Sequence, residues 1–213
     1  MYKRFSLSIV SLLLISFSLH AVEGMWLPIL LKELNEKEMK AMGMRISADD
    51  LYAINQASLK DAVFIFGGGC TSEIISDQGL LLTNHHCGYS QIQAHSSLQN
   101  DYLKYGFWAK SLDEELPNKG LTATRIVRME NVTSQVLNGA TRNDGSLDQQ
   151  IIDNNIKRII EQSVAGTHYD ASVKPFYYGN EYYLFITETF KDIRLVGAPP
   201  SLIGKFGGDT DNW

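Results

Sequence analysis

The chain has 213 residues, with 19 basic and 24 acidic side chains, a net charge of −5 and 44% apolar residues. No block of Lys and Arg is present to neutralise phosphates, which excludes nucleic acid as a general partner. The length supports one large or two small domains with real cores.

Lys3 and Arg4 precede a short apolar run over 9–17, and Leu19-His20-Ala21 ends on a small residue. This is the form of an export signal over residues 1–21. The run is too short for a comfortable membrane span, and no later segment has one. Its removal takes away two positive charges and no negative one, leaving a net charge of about −7. Export places the only two cysteines, Cys70 and Cys87, in an oxidising compartment, where they can bridge. A bridge would close a loop of about 17 residues, worth about 3 kcal/mol in the chain-entropy account; two buried free thiols are the alternative.

Gly24-Met25-Trp26-Leu27-Pro28 has the form of a mature N-terminus that tucks an indole into the fold. Helical spacing of Leu30, Leu31, Leu34, Met39 and Met42 predicts a helix over 30–42 that Gly43 stops. Ser47 followed by Asp49 and Asp50 predicts an N-cap opening a second helix over 51–60. The period then shortens. A strand is predicted over 62–66, a bend at Gly67-Gly68-Gly69, and a hairpin of 72–75 with 79–84. A short helix follows over 90–96, then an aromatic cluster, Tyr102, Tyr105, Phe107 and Trp108, read as core or cleft wall. A strand is predicted over 122–132, and a helix over 147–164 capped by Asn143-Asp144-Gly145-Ser146. A hairpin of 172–178 with 182–191 turns at Gly179-Asn180, and 193–196 is a last short strand. The glycine-rich, acidic tail 204–213 reads as a site loop. The fold class expected is mainly β with peripheral helices (α+β).

One segment suggests a specific chemistry. Apolar Leu80-Leu81-Leu82 leads through Thr83 and Asn84 to His86 and Cys87, with Cys70 upstream. A general base must sit on a rigid element at a cleft edge, and a serine protease needs such a histidine. A lone histidine is usually a hydrogen-bonded structural residue, and that reading suits His85, which strand geometry would turn away from His86. A zinc site of His85, His86, Cys87 and His95 fits no standard spacing, and a disulfide would use up Cys87. Asp209 and Asp211 satisfy the spacing of an orienting carboxylate, against the bland reading of a solvated acidic turn. Asn212 and Trp213 look like a recognition pair, a polar handle beside a flat apolar wall. No glycine-framed nucleophile appears, and Ser96, Ser97 and Ser201 lack that context. Asn131-Val132-Thr133 matches a glycosylation acceptor that an exported bacterial protein leaves idle.

Gly24-Met25-Trp26-Leu27-Pro28, Thr83-Asn84-His85-His86-Cys87-Gly88-Tyr89 and the tail Gly204 to Trp213 together resemble the bacterial dipeptidyl-peptidase 7/11 family, exported serine exopeptidases of Gram-negative bacteria. The resemblance runs from residue 24 to the end. It implies a chymotrypsin-like double β-barrel with an inserted helical lid, a Ser-His-Asp triad, no cofactor and no metal. It also implies removal of dipeptides from the free N-terminus of oligopeptides, and homodimers as the usual assembly. Carried over, the triad histidine falls on His86, and the residues holding the substrate's ammonium and first side chain fall on Asn212 and Trp213. A Cys70–Cys87 bridge would stiffen the histidine loop. The family's aspartate follows the Asp-Asn-Trp motif in an Arg-His-Thr-Gly-Asp segment, and its serine stands much later, in Gly-Asn-Ser-Gly; neither occurs in these residues. Asp209 and Asp211 are therefore not the triad carboxylate. The expectation is residues 22–213 as the N-terminal part of the peptidase domain, without the helical lid and the closing part of the second barrel. Such a chain alone should be inactive, and its location should be the periplasm or cell surface. The alternative is a catalytically inactive peptide-binding or non-functional truncated product.

Overall fold

The computed structural model describes residues 26–54 and 56–204. Trp26 is 48% exposed, so the expected tucking of its indole does not occur. The helix expected over 30–42 breaks at Asn35, whose φ of −123° leaves the helical region. Two short pieces result, α1 (Leu31–Leu34) and α2 (Glu36–Ala41). Gly43 stops the second as expected, at φ 110°.

Ser47 caps α3 (Ala48–Leu51) through a reciprocal pair: Asp50 N–H donates to Ser47 Oγ at 3.1 Å, and Ser47 N–H to Asp50 Oδ2 at 2.7 Å. The predicted continuation to residue 60 is wrong. Tyr52 turns extended, and its hydroxyl accepts the Met129 N–H at 3.0 Å. A tertiary bond thus overrides local propensity.

From there the chain builds a sheet. Strands β1 (Val63–Phe66), β2 (Cys70–Ile74) and β3 (Leu81–Thr83) form an antiparallel meander. Helix α4 (His85–His95) follows directly, then α5 (Tyr102–Tyr105) and two short strands, β4 (Phe107–Trp108) and β5 (Leu116–Pro117). The long strand β6 (Ala123–Asn131) returns beside β1. After α6 (Thr133–Val136) and α7 (Gln149–Val164) come β7 (Asp170–Phe176) and β8 (Glu181–Phe190). The chain then forms β9 (Arg194–Leu195), β10 (Gly197–Ala198) and α8 (Ser201–Gly204). The main sheet has six strands in the order β3-β2-β1-β6-β8-β7, every neighbour antiparallel, and it is open between β3 and β7. This is the expected mainly β architecture with peripheral helices, and the barrel is not closed.

One apolar cluster and further buried residues hold it. Helices α6 and α7 cover one end of the sheet through Val132, Val136, Ile152, Ile159, Leu184 and Ile186. Phe64, Phe66, Ile92, Leu121 and Ala123 are buried towards the other end. The cap of α7 differs from the expected one. Asp148 accepts the N–H groups of Gln150 and Ile151 at 3.0 and 3.3 Å, while 143–146 forms a turn closed by the Thr141–Leu147 bridge. The β7–β8 turn also begins earlier than expected, with Tyr177 and Tyr178 in the left-handed region at φ 48° and 61°.

Asn155 is the polar pin between α6 and α7. Only 8% exposed, it donates to Val136 O and Asn138 O, both at 2.9 Å. Asn155→Leu leaves two carbonyls without these donors and is expected to cost about 1–3 kcal/mol. The urea midpoint of the chain should fall at unchanged slope; an unmoved midpoint contradicts the assignment.

Candidate active site

The disulfide decides the local geometry. Cys70 opens β2 opposite Phe66, and Cys87 lies in the first turn of α4. Their sulfurs are bonded at 2.03 Å, with Cα atoms 6.1 Å apart. This is the expected bridge, and it ties helix to sheet rather than strand to strand. Thr83 Oγ donates to Thr71 O at 2.8 Å and seals the β2–β3 end. Asn84 stays extended at φ −70°, ψ 148°, and the helix starts at His85.

His86 therefore stands on a helix and not at the end of a strand, which corrects the geometry expected from the apolar run. Only His85 and Ile92 of α4 are buried, so the helix carries almost no apolar stripe to announce it. Successive helical residues diverge by about 100°, which still separates the two histidines. His85 is 6% exposed and His86 is exposed. His86 Nε2 rests 3.3 Å from Cys87 Sγ and 3.9 Å from Cys70 Sγ. The three groups lie within 4.8 Å of one another, a spacing that thiolates could use for a metal. Here the sulfurs are bonded to each other, so neither is a thiolate. His95 faces elsewhere, 3.0 Å from Asn118 Oδ1.

His85 packs between two neighbours. The Tyr89 ring stands edge-on to it at 5.9 Å between centroids. On another side lies Gly204, where a Cβ would overlap the imidazole. Sequence reasoning missed this contact, because a glycine touching a ring leaves no local pattern. Its consequence is positional: the chain passes Gly204 beside the histidine helix nine residues before Trp213. Gly204→Ala should push α8 off α4 and lower the melting temperature, since ring and backbone cannot both stay; an unchanged melting curve would show that α8 does not dock there. Asp209, Asp211, Asn212 and Trp213 lie outside the described residues, as does the signal expected over residues 1–21.

Of the serines weighed as nucleophiles, Ser96 and Ser97 have structural work. Ser96 Oγ donates to Ile92 O at 2.8 Å and accepts the Leu103 N–H at 3.2 Å. Ser97 Oγ accepts the Asn100 N–H at 3.0 Å. Ser201 is the first residue of α8.

An open groove of about 380 Å³ is lined in part by both cysteines of the disulfide. Phe66, Cys70, Cys87, Lys119, Gly120 and Leu121 are among its lining residues.

A histidine–carboxylate pair, unannounced by the sequence, joins the bend before β7 to β8. His168 Nε2 lies 2.9 Å from Glu188 Oε1, and Arg125 Nε donates to Glu188 Oε2 at 2.8 Å. The His168 hydrogen bond, opposed by burial and aided by Arg125, holds the Glu188 carboxyl below its ordinary value of 4.5. A lowered carboxylate pKa stabilises the fold fully above the ordinary value, and that share is lost as pH falls through the lowered one. Urea midpoints measured on both sides of pH 4.5 should show a smaller acid-side loss for Glu188→Gln than for the parent.

No helix among the described residues is long and apolar enough to cross a membrane. The chain is 60% identical over 191 residues to an Asp/Glu-specific dipeptidyl-peptidase of Capnocytophaga gingivalis, covering 89% of this chain and 27% of that one. It is 45% identical over 210 residues to dipeptidyl-peptidase 7 of the same organism, covering 98% and 29%. The fold matches crystalline Porphyromonas endodontalis DPP11 in complex with the dipeptide Arg-Glu, with a TM-score of 0.77 and 47% identity over 89% of this chain and 29% of that one. The chain thus spans less than a third of these relatives. The peptidase S46 model matches residues 21–213, and the chain belongs to that family.

Proposed function

We propose that residues 22–213 form the N-terminal part of the peptidase domain of an exported serine dipeptidyl-peptidase, and that His86 is its general base. The observation that carries this reading is an exposed histidine on a disulfide-braced helix start, in a chain of the peptidase S46 family. In the reaction a serine oxygen attacks the carbonyl carbon of the substrate's second residue. One imidazole nitrogen of His86 takes the serine proton and passes it to the departing amine nitrogen as the C–N bond breaks. Water then attacks the acyl-enzyme, giving its proton to the same nitrogen, and the serine recovers a proton as the dipeptide leaves. A carboxylate orients the other nitrogen. Nε2, now 3.3 Å from Cys87 Sγ, turns off the sulfur in that assembly.

Asn212 and Trp213 bind the substrate's terminal ammonium and first side chain. An exopeptidase needs this, because holding the amine blocks any longer extension. The substrate is an oligopeptide, and no cofactor or metal takes part. The working protein is an exported homodimer in the periplasm or at the cell surface, with residues 1–21 removed; a mature chain beginning at residue 22 by mass would bear on that point. The aspartate and serine are supplied by sequence that these 213 residues do not contain, so a polypeptide of only these residues releases no dipeptide.

The test is a transplant. The 191 matched residues of the Capnocytophaga gingivalis relative are replaced by those of this chain. The chimera should release dipeptides and keep the recipient's own side-chain preference, while the 213-residue polypeptide should release none. Release by the short polypeptide, abolished by His86→Ala, would refute the division of labour.

A further inference from the structure

The groove lined by the two disulfide cysteines has no role in the chemistry described so far. We propose that it takes the departing side of the oligopeptide, the residues after the scissile bond, and that Lys119 favours acidic side chains or a terminal carboxylate there. This rests on His86 being the general base.

Geometry comes first. Proton delivery to the departing amine requires that nitrogen within about 3 Å of an imidazole nitrogen. The peptide beyond it advances at most about 3.3–3.6 Å per residue, so its first residues must lie close to His86. The disulfide sulfurs 3.3 and 3.9 Å from His86 Nε2 belong to Cys87 and Cys70, which both line the groove. The base thus lies beside two residues that line the open space. The amino-terminal side of the substrate is already assigned to Asn212 and Trp213, so the departing side needs another path.

The lining suits a peptide. A volume of about 380 Å³ falls within the range of about 300–1,000 Å³ typical of ligand pockets. Phe66 and Leu121 give an apolar floor. At Gly120 the backbone holds φ 84°, and a Cβ there would meet nothing within 4 Å, so the wall is open to an approaching chain. Among the described lining residues Lys119 is the only charged side chain, on a protein of net negative charge. Among the described residues it makes no ion pair. A single cation at the rim selects anionic groups without fixing one side chain.

The experiment uses the chimera with His86→Ala, which binds without turnover. Labelled peptides share one preferred amino-terminal dipeptide and differ only in the next three residues, acidic or basic; the free dipeptide is the control. The acidic extension should bind more tightly than the basic one by roughly two- to fivefold, the scale of a solvent-exposed ion pair. Lys119→Ala should erase that difference, Lys119→Glu should invert it, and both should leave dipeptide binding unchanged. In the active chimera the same variants should leave cleavage of a dipeptidyl-coumarylamide unaltered, since it carries no peptide beyond the bond. Equal binding of both extensions in the parent, or Lys119 variants that weaken the free dipeptide equally, would overturn the proposal; the latter would place Lys119 on the dipeptide side. A loss of turnover of less than about tenfold in the His86→Ala chimera would refute the base assignment, while the binding series would still report on the groove.

Discussion

His86→Ala in the transplanted enzyme is expected to lower kcat/KM for dipeptide release by about 10⁴–10⁶-fold, the range for removing a triad histidine. The loss should fall on kcat, with KM nearly unchanged, because the histidine acts on protons moved in the transition state and not on the bound peptide. His85→Ala offers the contrast. Its ring is buried against Tyr89 and Gly204, so its loss should show first as lower stability and a smaller, mixed change in kcat and KM. If the two alanines produced equal falls in kcat, the separation between an exposed reacting histidine and a buried packing one would be wrong.

Replacing Cys70 and Cys87 together by alanine should lower the stability of the chain by about 3 kcal/mol, the loop-closure value for their 17-residue separation. That corresponds to roughly 6–12 °C in melting temperature for a domain of this size. Reductant should reproduce the shift in the parent and do nothing to the variant. In the transplanted enzyme kcat should fall as well, because the bridge anchors the first turn of α4, where His86 stands. A loss under about 1 kcal/mol, or an unaltered kcat, would show that the helix start is held by packing alone.

What the sequence revealed divides along a physical line. Strands β1, β6 and β8 lie within a residue or two of the expected bounds: alternation marked β6, a continuous apolar run marked β1, and a hairpin turn marked β8. The stripe of α7 was equally legible. The helix starting at His85 was not: two histidines, a cysteine and a glycine in its first four residues hide the period, and a covalent bond helps hold it. The false helix after Ser47 shows the reverse. Its cap is real, yet one hydrogen bond from Met129 to Tyr52 pulls the chain away after a single turn. Contacts remote in sequence, such as Gly204 on His85, or Cys87 beside Lys119 at the groove, leave no local trace. The motif around His86 pointed to a chemistry in the sequence; the helical, disulfide-braced setting of that residue was not legible there.

The measurement that tests the central claim most directly is mass spectrometry of one peptide incubated with the transplanted enzyme, with its N-terminus free and acetylated. Successive dipeptides are expected from the free form and nothing from the blocked one, with Asn212→Ala slowing the first. Internal cuts, or cleavage of the acetylated peptide, would contradict it.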